Sequence, residues 1–204
     1  MTTTQFKQVW AKAAEKAAAR EKEYSALDAA AGGDGDHGEA IVAATKALAA
    51  AQGDDFKSLL EDMTGHLESD VSGSTSSLYG TLFEGMADAV DAGVTELDAP
   101  GIAELFAAGL EELGFATKAK VGDKTFMDAL IPAIEALKAH SAEGEAAMFA
   151  AAAAAAKAGS EATAQMQAKF GRAKNLGERS IGPIDAGSAS NADIWSCFAE
   201  VANG

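Results

Sequence analysis

Three aspartates, Asp28, Asp34 and Asp36, fall within nine residues of the segment LDAAAGGDGDHG, and only Gly35 separates the last two. Oxygen donors so spaced suit a hard divalent cation. Mg²⁺ prefers octahedral oxygen coordination and is commonly held by a few carboxylates together with the phosphates of a substrate. The same residues in isolation make an ordinary acidic turn, because Asp and Gly are common in loops and short motifs recur by chance. His37 and the spacing of Gly32, Gly33, Gly35 and Gly38 shift that balance, since four glycines suggest a backbone closely approached by a ligand. An EF-hand is a poor fit, because the loop has no glutamate at its twelfth position.

A second loop, Ser72-Gly73-Ser74-Thr75-Ser76-Ser77, opens a helix. Free backbone N–H groups and the positive end of a helix dipole make such a terminus an anion site, and the hydroxyls add donors; alone, the segment reads as a multi-serine N-cap before it reads as an anion site. A third segment, FGRAKNLGERSIGPIDAG over 170–187, gathers Arg172, Lys174 and Arg179 beside Lys169. Loops this long in a helical domain tend to be functional, and Arg172 or Arg179 could fork onto phosphate oxygens, the alternative being pairing with Glu178 and Asp185. Lys118, Lys120, Asp123, Lys124 and Thr125 form a further mixed-charge loop, read as a rim around the site. His66 and His140 have no second ligand at metal spacing and read as surface or capping residues. Gly122-Asp123-Lys124-Thr125 resembles half of a P-loop but follows no strand, and no serine triad, CxxC or complete Walker motif is present.

The elements that must position these residues follow from composition. Of 204 residues, 31 are acidic and 16 basic, for a net charge of −15 and a pI near 4.5. Such a balance excludes nucleic acid as a partner, which would need clustered cations, and disfavours membrane surfaces. With 48% hydrophobic residues the chain can bury a core as a single domain over 1–204, and disorder is excluded. The lone Cys197 cannot form an internal disulfide, and the start MTTTQFKQVW lacks the pattern of a signal peptide, so the expected compartment is the cytoplasm. The apolar run Ala146 to Ala156 is too short to span a bilayer.

Ala, Leu, Glu and Lys dominate and no stretch alternates cleanly, so the expected fold class is all-α. Punctuation marks about eight helices, near 4–24, 38–52, 55–69, 75–92, 100–116, 125–139, 143–169 and 190–203. Asp98 with Pro100 marks one start, and Ser190 with Asp193 resembles a capping box at another. Pro132 sits inside an apolar run that resumes at once, which predicts a kink rather than a break. Trp10, Phe106, Phe149, Trp195, Cys197 and Phe198 read as core.

Helices that alternate up and down place connections 1–2, 3–4, 5–6 and 7–8 at one end of the bundle and the other three at the opposite end. The first group holds nearly all of the glycine-rich, hydroxyl-rich and mixed-charge sequence, while AQGDD, DAGVTELDAP and AHSAEGE are plain polar turns. An acidic cluster, a hydroxyl loop at a helix start and an arginine loop at one end describe a metal–polyphosphate site, with a nucleotide as its natural occupant.

The strings G-D-G-D-H-G (33–38), L-Y-G-T (78–81), G-D-K-T (122–125) and G-R-A-x-x-L-G-E-R-S-I-G (171–182) resemble, in that order, the nucleotide-binding L subunit or L domain of dihydroxyacetone kinases. The resemblance covers essentially the whole chain. It implies an antiparallel eight-helix barrel that holds ADP or ATP through two Mg²⁺ ions at one end. It also implies delivery of a phosphoryl group to a ketose held covalently by a separate K subunit, so that the chain reads as a stand-alone L subunit with no catalytic acid or base of its own.

Carried over by position, Asp28, Asp34 and Asp36 are the implied Mg²⁺ ligands, and His37, Gly38, Glu39 and Ala40 border the phosphates. Ser74 and Thr75 contact phosphate, Thr117 and Phe126 line the adenine pocket, and Arg172 with Asp185, Ala186 and Gly187 closes over the nucleotide. The chain departs from the family pattern in four places. Five residues rather than four separate Asp28 from Asp34, which bears most on Asp28. Ala40 replaces a common asparagine, Ser72 to Ser76 replaces G-G-x-S-G, and Asp185-Ala186-Gly187 replaces D-P-G. These departures suit dihydroxyacetone less than a four-carbon ketose such as erythrulose. The phosphoryl donor implied by the resemblance is either free ATP or a phosphotransferase-system protein that recharges bound ADP. The competing reading is a diverged nucleotide- or cation-binding regulatory module, against which Asp34, Asp36 and Arg172 all stand intact.

Overall fold

The computed structural model describes residues 1–71 and 73–204. Eight α-helices account for most of them: α1 (Thr3–Ala30), α2 (His37–Ala50), α3 (Phe56–Asp70), α4 (Ser74–Asp88), α5 (Ala99–Ala116), α6 (Met127–His140), α7 (Glu145–Ala162) and α8 (Ala186–Ala202). Each helix packs on the next, and α8 returns to pack on α1, so the ring of eight closes on itself. No helix among the described residues is long and apolar enough to cross a membrane.

Side chains set several of the starts. Thr2 and Gln5 form a capping box on α1, Asp55 and Ser58 form one on α3, and Asp98 accepts from Gly101 N with Pro100 in the first turn of α5. These caps satisfy amides that have no partner inside the helix. Inside the ring lies an aromatic plug centred on Phe198, which meets Phe6, Trp10, Phe106, Phe149 and Trp195 at centroid separations of 5.2 to 6.0 Å. Cys197 beside it is fully buried. One end of the barrel is stitched by backbone: the terminal amine donates to Leu97 O, Thr3 N to Thr95 O and Phe56 N to Val94 O.

Four expected boundaries move: α4 ends at Asp88 rather than 92, where Ala89 N turns back to Met86 O, and three others shift, each for a local reason. Helix α1 runs to Ala30 rather than stopping at 24, because Ser25 to Ala30 contains no breaker before Gly32. Helix α7 ends at Ala162 rather than 169, where Thr163 donates its hydroxyl to Ser160 O and accepts Asp185 N, drawing the chain toward α8. Helix α8 begins at Ala186, capped by Asp185 accepting from Ser188 N, so Ser190 and Asp193 lie inside the helix and form no capping box. The segment expected as an open loop contains a 3₁₀ stretch, Arg172–Ser180, interrupted at Gly177. Helix α6 continues through Pro132.

Glycines let helices approach. A Cβ at Gly159 of α7 would overlap the Asp128 carbonyl of α6, which has no i+4 donor because that position is Pro132. At Gly109 of α5 it would strike Leu82 O of α4. By contrast, nothing lies within 4 Å of a Cβ at Gly114. Gly159→Ala is expected to lower stability by about 1–3 kcal/mol through overpacking. Gly114→Ala is expected to raise it by about 0.4–1 kcal/mol through lost unfolded-state entropy. Urea denaturation midpoints of the two variants check both signs.

Candidate functional site

All four connections expected at one end line a single cleft of about 560 Å³. Because the helices alternate, α2, α4, α6 and α8 all begin there, and the positive ends of four helix dipoles face the same space. Asp36 and Gly73, at the starts of α2 and α4, give no side-chain cap, which leaves their first-turn amides to the cleft.

The acidic cluster is assembled by α1. Asp28 lies on its last turns, where its Oδ2 accepts from Gly35 N at 2.8 Å while Gly33 N donates to Asp28 O. This pair of bonds folds the loop back over the helix end. Asp28, Asp34 and Asp36 each offer an oxygen within 4.8 Å of one another. Because the helix carries on past residue 24, the extra spacer residue does not remove Asp28 from the group.

The glycines serve this fold rather than an open approach for ligand. A Cβ at Gly33 would occupy the place of the Asp28 carboxylate, one at Gly38 would overlap Glu21 O of α1, and one at Gly32 would strike Leu176. Gly38 and Glu39 do not line the cleft, whereas His37 and Ala40 do. The His37 ring shares a 2.9 Å hydrogen bond with Ser190 Oγ, and burial lowers its basicity, which keeps the imidazole neutral at neutral pH.

Arg172 forms an ion pair with Asp34 across the cleft rather than with Glu178 or Asp185. The guanidinium holds Asp34 below the usual carboxylate range, while desolvation and then the adjacent Asp34 hold Asp36 above it.

Across the cleft, Ser74 and Thr75 sit on the first turn of α4; Ser72 lies outside the described residues. The apolar wall is built from Thr117 at the end of α5, and from Phe126, whose ring stands edge-on to Tyr79 at 5.2 Å. Asp185, Ala186 and Gly187 complete the floor. Tyr79, Leu78, Met127 and Phe170 also line it, though reading the sequence alone did not single them out. Tyr79 lies in the L-Y-G-T string, and its hydroxyl accepts from Asn191 Nδ2 at 3.0 Å.

The rim expected from Lys118 to Thr125 divides in two. Lys118 and Lys120 are exposed, but Asp123 and Lys124 are each only 3% exposed. Asp123 pairs with Lys169, and buried Asp128 accepts from Gly122 N and Thr125 N, so this turn belongs to the interior.

Residues 31–200 match the DAK2 domain. The chain belongs to the DAK2 domain family. This DAK2 chain is 32% identical to the ADP-binding subunit DhaL of the PEP-dependent dihydroxyacetone kinase of Escherichia coli, covering 78% of each. It is 33% identical to the ADP-binding subunit DhaL of PEP-dependent dihydroxyacetone kinase 2 of Listeria innocua, over 72% of this chain and 68% of that one. It is also 36% identical to the D-erythrulose kinase of Mycolicibacterium smegmatis, over 88% of this chain but 32% of that enzyme. The crystal structure of the C. freundii dihydroxyacetone kinase superposes with a TM-score of 0.77 at 25% identity, over 98% of this chain and 35% of the other. The same enzyme in complex with AMP-PNP and Mg²⁺ gives 0.77 at 24%, over 98% and 34%.

Asp185 supplies a pH test of this DAK2 site. Burial, opposed in part by the Ser188 amide, pushes its carboxyl up to about 7 from 3.8. Between those values the folded protein keeps a proton that the unfolded chain has released, so this group subtracts stability as pH rises. Asp185→Asn retains a good helix cap. It should therefore lose less stability than the wild type between roughly pH 4 and 7, as read by denaturation at each pH.

Proposed function

We propose that this DAK2 chain is the nucleotide-carrying subunit of a ketose kinase, binding Mg–ADP or Mg–ATP and presenting a phosphoryl group to a small ketose held by a separate K-type subunit. The observation that carries the reading is the arrangement in one cleft of three clustered carboxylates, Arg172 and two uncapped helix starts.

The residues present fit Mg²⁺: the donor set is all oxygen, and its charge is matched only in part by Arg172. Asp28, Asp34 and Asp36 would hold the cation, two ions being the number the family resemblance implies. Bound there, Mg²⁺ would neutralise and orient phosphate oxygens, which is most of what phosphoryl transfer requires. The amides of α2 and α4, with Ser74 and Thr75, would take further phosphate charge. Thr117 and Phe126 would flank the base. Arg172 would exchange Asp34 for a phosphate oxygen, and Asp185 to Gly187 would close the floor. His37 and Ala40 would border the phosphates on the cleft wall, while Gly38, whose Cα packs against α1, and Glu39 would contribute first-turn amides only.

The relatives named as subunits, and the kinases of which this chain matches about a third, support a second component. The cleft mouth supports it too. The exposed large hydrophobics among the described residues gather near this end: Phe115 on the last turn of α5, Val121 on connection 5–6, and Phe170 and Ile181 on connection 7–8. They sit with exposed Lys118, Lys120 and Lys174, so the docking face is mixed rather than purely polar, as suits a complex that forms and releases. Relatives named for dihydroxyacetone and for erythrulose support an acceptor among three- and four-carbon ketoses. The donor is then ATP or a phosphotransferase-system protein; assaying denatured protein for released ADP separates a tightly held carrier from a free-ATP enzyme.

Two outcomes test the proposal. Calorimetric titration should show ADP binding with Mg²⁺ and none in excess EDTA, because the cluster and the polyphosphate repel each other without a cation. Asp34→Ala and Asp36→Ala should each abolish that binding with helicity unchanged, and comparable affinity in EDTA would falsify the metal-bridged reading. In a coupled assay with MgATP and dihydroxyacetone or erythrulose, the chain alone should be inactive and should turn over only with a K subunit. Robust turnover by this chain alone would overturn the two-component scheme.

A further inference from the structure

Lys124 is the only non-glycine residue with positive φ among the described residues, at 60°. An L-residue is held in that left-handed region only where its surroundings over-determine it. Asp128 supplies the backbone half of that constraint, since its carboxylate accepts from Gly122 N and Thr125 N, each at 2.6 Å, and locks the turn. The side chain supplies the other half. A lysine is rarely buried unless its ammonium is partnered. Lys124 Nζ donates to Thr163 O at 2.7 Å and to Pro183 O.

Those two carbonyls belong to opposite ends of the long connection between α7 and α8. Thr163 follows the last residue of α7, and Pro183 stands two residues before the α8 cap. Between them the chain runs out and back, zipped by Gly182 N to Ala164 O and Ala168 N to Ser180 Oγ, and carries Arg172 at its outer part. Lys169 fastens the outgoing arm to the same turn, through its amide to Asp123 O and its ammonium to Gly122 O and Asp123. The inner wall of the turn is Thr125 and Phe126 on the cleft.

We propose that Lys124 is a positioning residue: its ammonium pins both feet of the Arg172 loop to the α5–α6 turn, fixing the arginine opposite the acidic cluster and joining the apolar wall to the phosphate end of the cleft. The inference deepens the nucleotide-carrier reading, but its first arm does not need that reading to be true.

The loop contains four tryptic sites, after Lys169, Arg172, Lys174 and Arg179, and cleavage there reports local opening. Two variants separate ammonium from backbone. Lys124→Met keeps the stem and removes the donors; Lys124→Gly removes the donors while relieving the positive φ, so it folds even if Met is not tolerated. In nucleotide-free protein, both should be cut within 172–180 about tenfold faster than wild type, with cutting after Lys46 and Lys57 unchanged. Cation binding measured with Mn²⁺ alone should not weaken, because the end of α1 and the turn after it hold Asp28, Asp34 and Asp36, and release of Arg172 frees Asp34 as a ligand. Mg–ADP affinity should fall about tenfold, mostly through faster dissociation. Wild-type cleavage rates in folded Lys124→Gly would overturn the proposal, as would acceleration at Lys46 and Lys57 as large as that in the loop. Failure of the wild type to bind Mg–ADP would count against the functional reading and leave the proteolysis to decide on Lys124.

Discussion

Three carboxylates held within 4.8 Å of one another, in a chain that already carries a charge of −15, are a repulsive arrangement that the fold must sustain. The covalent chain does so by brute proximity, through the Gly32 to Gly35 turn and the bond from Gly35 N to the Asp28 carboxylate. Field does the rest. Helix starts bring partial positive charge to the cleft, and Arg172 reaches in from the far side to pair with Asp34. None of these sources removes the excess, and desolvation together with the neighbouring Asp34 carboxylate raises Asp36 above an ordinary aspartate. A cleft of this kind gains most from an incoming hard cation, and a cation so placed gains most from phosphate.

The ring of helices is what makes the electrostatics additive. Eight is an even number, and short connections force neighbours to alternate, so every second helix starts at the same end. If the ring were open, the starts of α2 and α8 would be free to splay. It is closed by α8 against α1 around the Phe198 plug, and the opposite end is tied by the N-terminal backbone. Stability and site chemistry therefore divide between the two ends: backbone pairing and the capped starts of α1, α3 and α5 at one, the uncapped starts of α2 and α4 and clustered charge at the other.

The two sides of the cleft are built differently. The acidic side is a helix end and a turn of few residues, fastened locally. The arginine side is a long excursion between α7 and α8 that has little regular structure and depends on contacts with the α5–α6 turn for its position. A ligand that spans the cleft would touch both, so its affinity depends on how firmly the less regular side is held.

Much of this was legible in the sequence. Helical periodicity, the alternation of plain and unusual connections, and the order of the G-D-G-D-H-G and G-R-A-x-x-L-G-E-R-S-I-G strings are all local properties of the chain. They determined the fold class, the end of the bundle where the cleft lies, and the family. What depended on residues far apart in sequence was decided only by the tertiary structure. The spacer before Asp34 looked disruptive until α1 was seen to run on to Ala30. Gly33 and Gly38 looked like openings for a ligand, yet their missing side chains make room for Asp28 and for the α1 backbone. Asp123 and Lys124 read as a charged rim because a charged side chain in a loop is ordinarily solvated. Their partners, Lys169, Thr163 and Pro183, lie at least 39 residues away, and burial of a charge is determined by such partners, which no local pattern reveals.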